Sequence, residues 1–322
     1  MKVLSFLPLL LRQSCLHPSR LTSALVRATA LELVILAGHL LIYPTGITPE
    51  RRLPTAPPGP GHGAGPEDSL ETGLETGAGT GSDRRSPGHP DSPHTTLPAD
   101  GTPSALPARS LDRPPVVLLH GFIDNRSVFV LLRRSLARHG WRHLESLNYS
   151  PLTCDIRTAA ELLDRHVEEI CARTGHTEVD IVGHSLGGLI ARYYVQRLGG
   201  DRRVRTLVTL GTPHSGTAAA PLAGAHPIVR QMRSGSPLIE ELRRPAPGCR
   251  TRFISFWSEL DRVMLPVETA CIDHPDLDAQ NVRVTGIGHL ALPVHPAVAA
   301  AIRQALESDD TVIGIRGAAS VA

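Results

Sequence analysis

Val179-Asp180-Ile181-Val182-Gly183-His184-Ser185-Leu186-Gly187-Gly188 is the stretch on which the fold of this chain turns. Its first four residues have the composition of a buried strand. The next five satisfy Gly-x-Ser-x-Gly, and a helical pattern follows over residues 186–198, ended by Gly199-Gly200. A strand that stops and a helix that begins within so few residues need a sharp turn. The serine then sits at its apex in a strained conformation, with Oγ held above the carboxyl edge of a sheet. Bulky side chains at 183 and 187 would clash with the neighbouring elements, so glycine is expected at both. The helix amino terminus behind the serine favours negative charge forming there. The pattern marks Ser185 as a candidate nucleophile. A plain turn is the alternative.

Outward from this stretch the chain alternates strands and helices. Val116, Val117, Leu118 and Leu119 form an apolar run, residues 127–139 have helical spacing, and 141–148 can be a strand. The clearest helix covers 155–173, where Ile156, Ala160, Leu163, Val167 and Ile170 form one apolar stripe. Asp155 or Thr153 can cap its start. Strands follow at 204–210, 252–257 and 282–285, and a last helix at 296–306. Strands separated by helices predict a mostly parallel sheet of about six strands, covered on both faces: a three-layer α/β domain with no large cap.

A base and an acid should follow the serine in the order Ser, acid, His. The base needs a loop just past a strand at the serine's edge. His289 satisfies this, and Gly286 and Gly288 let its loop bend tightly. His214 also follows a strand end and is the weaker choice. His274 precedes a strand, and His295 lies at the start of the final helix. Asp261 sits one short turn past the 252–257 strand and is the candidate acid, with Glu259 as runner-up. An oxyanion hole needs two backbone N–H donors. Leu186, after the nucleophile, supplies one. Phe122, after the first buried strand, supplies the other, with Gly121 allowing close approach. His120 and His184 are expected to brace loops rather than move protons.

Leu119-His120-Gly121-Phe122, the 183–188 stretch, Leu210-Gly211-Thr212-Pro213-His214-Ser215-Gly216 and Gly286-Ile287-Gly288-His289-Leu290 occur in this order. Together they resemble the bacterial lipases and esterases of the α/β-hydrolase superfamily. The likeness runs from about residue 114 to 306. It implies hydrolysis of carboxylic esters by a Ser/His/Asp triad with no organic cofactor. Its matching positions are Ser185, His289 and Asp261, with Phe122 and Leu186 as oxyanion donors and Gly183 and Gly187 flanking the nucleophile. Acyl transfer and thioester cleavage use the same triad and stay open, as does a catalytically inactive membrane-tethered binding protein.

The remaining residues divide the 322-residue chain into regions. Residues 1–47 are apolar with scattered arginines. The 28–47 segment has about the length a bilayer core requires, although it carries Glu32, His39 and Pro44. It is expected to be a membrane anchor with the catalytic domain outside the cytoplasm. A cleaved export signal and a surface-lying or packed helix are the alternatives. Residues 48–113 are rich in Pro, Gly, Ser and Thr and read as a disordered linker. The catalytic domain is expected at 114–307, as a monomer, and a tail at 308–322. The formal net charge of +2 gives no sign of a nucleic-acid partner. The five cysteines show no zinc-type spacing, and no calcium motif appears, so no metal is expected. Cys154 and Cys171 bracket a helix too long for them to bond, whereas Cys249 and Cys271 could pair. Between 211 and 250 lies the one insertion long enough to cover the site. Its apolar pieces suit an acyl chain or ordinary core, and its length leaves a fairly open site.

Overall fold

The computed structural model describes residues 23–42, 113–149, 155–219, 226–308 and 319–321. The expected linker, the segment before residue 23, Thr153, Cys154 and most of the apolar 218–222 piece lie outside them. The elements in chain order are α1 (Ser23–Ile42), β1 (Val116–Leu119), a 3-10 turn (Arg126–Phe129), α2 (Val130–Arg138), β2 (Leu144–Leu147), α3 (Ile156–Thr174), β3 (Val179–His184), α4 (Leu186–Arg197), β4 (Val204–Leu210), α5 (Pro227–Gln231), α6 (Pro237–Arg243), β5 (Arg252–Ser258), β6 (Asp278–Val284), α7 (Pro296–Glu307) and β7 (Ala319–Val321).

These strands form a parallel sheet in the order β2-β1-β3-β4-β5-β6-β7. Residues alternate between its faces, as the strand period requires. Val117 and Leu119 point into the core under α3 and α4, whereas Val116 and Leu118 point into the core under α2 and α7. The result is the expected three-layer arrangement. The stripe read on α3 is wholly buried, and Asp155 caps the helix by accepting the Thr158 amide at 2.8 Å. The left-handed Gly175 ends it, its amide donating to the Cys171 carbonyl. The strand order reverses direction between β1 and β3, so the loops leaving their carboxyl ends diverge. A crevice opens there, where ligands of open α/β sheets bind.

Three expectations are corrected. The sheet has seven strands among the described residues, close to the expected six, and its seventh lies where none was expected. Ala319–Val321 pairs with Val282–Val284 of β6 inside the segment expected to be a tail. Three short residues carry no apolar run long enough to read. β6 itself begins at Asp278, four residues before the apolar pattern, because that end is polar and alternately exposed. Cys249 and Cys271 are both free. Ala270 is held by the Ser255 hydroxyl in the middle of β5, whereas Cys249 precedes the amino end of that strand. Burial pushes the Cys271 thiol up to about 11.

The membrane span is the third. No helix among the described residues is long and apolar enough to cross a membrane. α1 instead packs on the α/β domain, with Ile35 against the α2/α7 core and Glu32 bonded to the backbone at 290 and 291. Its Val26, Leu33 and Val34 remain exposed.

The turn between β3 and α4 is fitted by backbone contact. A Cβ on Gly183 would lie 2.6 Å from the Gly188 amide nitrogen. A Cβ on Gly187 would collide with the Leu119 carbonyl, and one on Gly188 with the Thr212 hydroxyl. At Gly183 and Gly187 the obstacles are backbone atoms, and at Gly188 they belong to the short, β-branched Thr212 side chain. Gly187→Ala is therefore expected to cost about 3 kcal/mol or more. Leu163→Ala, on the buried stripe of α3, should cost about 2–5 kcal/mol. Exposed Glu161→Ala should change stability by less than about 0.5 kcal/mol. Urea unfolding of the four proteins checks the order.

Candidate active site

Ser185 is the one non-glycine residue at positive φ among the described residues, at φ 51° and ψ −115°. Such a conformation costs about 1–3 kcal/mol and persists only where the surroundings over-determine it. The surroundings here are specific. The Ser185 amide donates to the Leu210 carbonyl at 2.9 Å. Its carbonyl accepts from the Gly188 amide at 3.1 Å and from the Thr212 hydroxyl at 3.0 Å. Serine at a helix N-cap usually caps with its own side chain. Ser185 makes no such bond, so its hydroxyl is not consumed by the helix. The first-turn amides of α4, Leu186 among them, face the same place with their positive dipole end.

Three loops converge on this serine. After β1, the Gly121 backbone lies so close that a Cβ would be 3.5 Å from Ser185 Cβ and 3.1 Å from His184 Nδ1. The next amide is that of Phe122. After β4, Gly211 lies against the acid and the base. A Cβ there would be 2.9 Å from both Asp261 Oδ2 and His289 Nδ1, and its φ of 53° also favours glycine. After β6, the 285–291 loop carries His289. Its ring centroid lies 4.9 Å from that of His184, the neighbour of Ser185.

Asp261 and His289 form a buried pair. His289 Nδ1–H donates to Asp261 Oδ2 at 2.7 Å, which leaves Nε2 as the acceptor. The other Asp261 oxygen accepts the amides of Val263 and Met264 at 2.8 and 3.0 Å, so the carboxylate cannot swing. Burial alone would push the His289 imidazole down. The charge and hydrogen bond of Asp261, then the charges of Glu32 and Asp124, outweigh it and raise its pKa above the ordinary 6.5.

The other candidates have different work. Glu259 pairs with Arg283 at 2.5 Å, whereas Asp261 is the carboxylate bonded to His289. His214 donates or accepts at Thr209 Oγ1 at 2.9 Å, and its burial beside Arg192 holds its pKa well below 6.5. His274 contacts the Arg244 carbonyl, and His295 caps α7. His120 stacks flat on Tyr149, with ring centroids 4.3 Å apart and its Nδ1 at the Gly121 carbonyl. His184 spans 3.0 Å to Asp124 and 3.3 Å to the His289 carbonyl. Burial lowers the pKa of both, so neutral imidazoles brace the loops, as expected. Two residues escaped the sequence reading. Asp124, the partner of His184, carries no motif that singles it out in the sequence. Glu32 looked like a flaw in a membrane span.

Within the 211–250 insertion, Ile228, Val229, Leu238, Ile239 and Leu242 join the core under α3 and α4. The described part is therefore packing rather than an acyl channel. His226, where the 226–308 stretch begins, meets the Phe122 ring edge-on at 5.6 Å and so reaches the candidate oxyanion loop. Among the described residues no group of three His, Cys, Asp or Glu side chains could hold a metal ion.

A family model described as palmitoyl protein thioesterase matches residues 115–247. The chain is 29% identical over 132 residues to a triacylglycerol lipase of Burkholderia plantarii, covering 39% of this chain and 36% of that protein. A triacylglycerol lipase of Pseudarthrobacter phenanthrenivorans is 30% identical over 115 residues, or 34% and 35% of the two chains. The chain thus spans about a third of the length of the curated relatives it matches. The mature form of a Bacillus licheniformis lipase superposes with a TM-score of 0.53 at 17% identity, over 61% of this chain and 93% of that one. That likeness is one of fold. Parallel sheet, serine elbow and motif order agree with it, and the chain has the three-layer α/β-hydrolase fold.

Proposed function

We propose that this protein hydrolyses carboxylic esters, acylglycerol-like ones included, through an acyl-enzyme on Ser185. The observation that carries this is the buried Asp261–His289 pair at 2.7 Å, set against the strained, uncapped Ser185. His289 Nε2 takes the Ser185 proton as Oγ attacks the ester carbonyl. Asp261 fixes the tautomer and stabilises the imidazolium. The Phe122 and Leu186 amides donate to the oxyanion. The imidazolium returns its proton to the leaving alkoxide. Water, activated by the same base, releases the acid. The shortness of the 211–250 insertion favours accessible, short-to-medium acyl groups.

Thioester cleavage is the second reading. The palmitoyl protein thioesterase model spans both Ser185 and the Phe122 loop and is compatible with it. The chemistry is the same except for the leaving group. Comparing oxygen esters with thioesters of equal acyl length separates the two.

Ser185→Ala should lower kcat/KM on a nitrophenyl ester by about four orders of magnitude or more, with unfolding unchanged. A serine-directed phosphonate should label the wild type and not the variant. Ester turnover at the wild-type rate by Ser185→Ala would end the proposal.

The pH profile follows from His289. The neutral imidazole is the base, so kcat/KM should fall as pH drops through a pKa raised above 6.5. Asp261→Asn should lower the rate by about three to four orders of magnitude. It should also move the acid limb to lower pH, because the carboxylate that raises the imidazole is gone. A limb unmoved by Asp261→Asn would remove Asp261 from the triad.

A further inference from the structure

α1 comes from the amino-terminal end of the chain, yet one of its side chains reaches the base loop. Glu32 accepts the Leu290 amide at 3.0 Å and the Ala291 amide at 3.0 Å. These are the two residues that follow His289, and both are buried. Buried amides need acceptors, and in this turn the carboxylate supplies one to each. The fit is close: a Cβ on Gly288, the residue before His289, would lie 2.6 Å from Glu32 Oε1. Glycine at 288 therefore admits the carboxylate, beyond easing the loop. One side chain contacts the residues on both sides of the base.

We propose that Glu32 is a positioning residue for catalysis, clamping the 288–291 loop so that the His289 ring stays aligned between Asp261 and Ser185. The proposal rests on the ester-hydrolysis reading above. Four groups face the imidazole: Asp261, Glu32, Asp124 and His184. Asp261 orients the ring directly, and the neutral His184 holds its carbonyl. Glu32 acts on the backbone and adds negative charge nearby. Burial raises the Glu32 pKa above the ordinary carboxyl value, helped by the Asp261 charge; the two amides and the His289 charge offset part of that rise. Removing the charge lowers the His289 pKa, because one of the groups that raise it is lost.

A helix that merely packs would respond differently, and the pH profile tells the two apart. Glu32→Gln keeps the volume and one acceptor oxygen but removes the charge. In the full chain it should lower kcat on a nitrophenyl ester about tenfold or more, with KM little changed. It should also move the acid limb of kcat/KM to lower pH, while the protein still folds cooperatively with a melting temperature lowered by only a few degrees for the one amide left without an acceptor. Glu32→Asp, which retains the charge, should keep the limb close to the wild-type position. Val34→Ser, on the exposed side of the same helix, should leave rate and limb unchanged. If Glu32→Gln turns over at the wild-type rate with an unmoved limb, while Ser185→Ala is inactive, the clamp is refuted and the hydrolase reading survives. If Ser185→Ala is fully active, the hydrolase reading fails first and this inference falls with it.

Discussion

The contact on which the rest depends is steric. The turn from β3 to α4 passes so close to β1 and to Thr212 that no Cβ fits at Gly187 or Gly188, and none fits at Gly183 against Gly188. That closeness fixes three things together. It forces Ser185 to φ 51°, it aims the α4 amide dipoles at the space above the serine, and it brings the Gly121 loop alongside. A looser turn would relieve about 1–3 kcal/mol of strain at one residue. It would also let the hydroxyl do what serines at helix starts ordinarily do, which is cap the helix. Reactivity here begins with a backbone that denies the side chain its usual bond.

The second constraint is electrostatic. Four buried histidines lie around the site, and burial disfavours charge on all of them. His120, His184 and His214 are held below the ordinary imidazole value; only His289 is raised. The difference lies in the partners. His120 and His214 meet a carbonyl and a hydroxyl, whereas His289 meets Asp261 at 2.7 Å with Glu32 nearby. His184 is instructive because it too has a carboxylate, Asp124, at 3.0 Å. Burial and the neighbouring His289 outweigh it. One histidine can therefore accept a proton without its neighbour competing for it. That asymmetry is set by the surroundings of each ring rather than by residue type.

What could be read in the sequence follows from these two constraints. Backbone collisions leave little freedom, so the elbow, the β1 loop and the helix stripe of α3 are written in glycines and apolar spacing. Electrostatic partners leave more freedom. A carboxylate needs only to end up within about 3 Å of a ring, and many chain positions achieve that. Asp261 could be reached from its place past β5, and His289 from its place past β6. Asp124 and Glu32 could not, because their roles depend on tertiary neighbours far away in the chain. The late start given to β6 and the unseen β7 have the same origin: strands near a sheet edge do not need an apolar run. The palmitoyl protein thioesterase match is consistent with this division, since it holds the elbow and the Phe122 loop and stops at residue 247, before Asp261 and His289.

The sharpest departure from the sequence reading is α1, and its cause is general. Its composition is apolar enough to suggest a bilayer, and Glu32 then looks like an intrusion. In the fold the preference runs the other way. Val26, Leu33 and Val34 are left exposed, while Glu32 is turned inward onto two buried amides. Apolar surface buries with little regard to direction. A carboxylate facing two N–H groups buries in one geometry only, and leaving those amides without partners would cost about 1–3 kcal/mol each. The glutamate, with Ile35 beside it, therefore sets which face of the helix meets the domain. Mean hydropathy cannot register this, because it averages over the one side chain whose direction matters. A lone acidic residue in an apolar helix near a catalytic domain is better taken as a possible address on that domain than as a defect in a span.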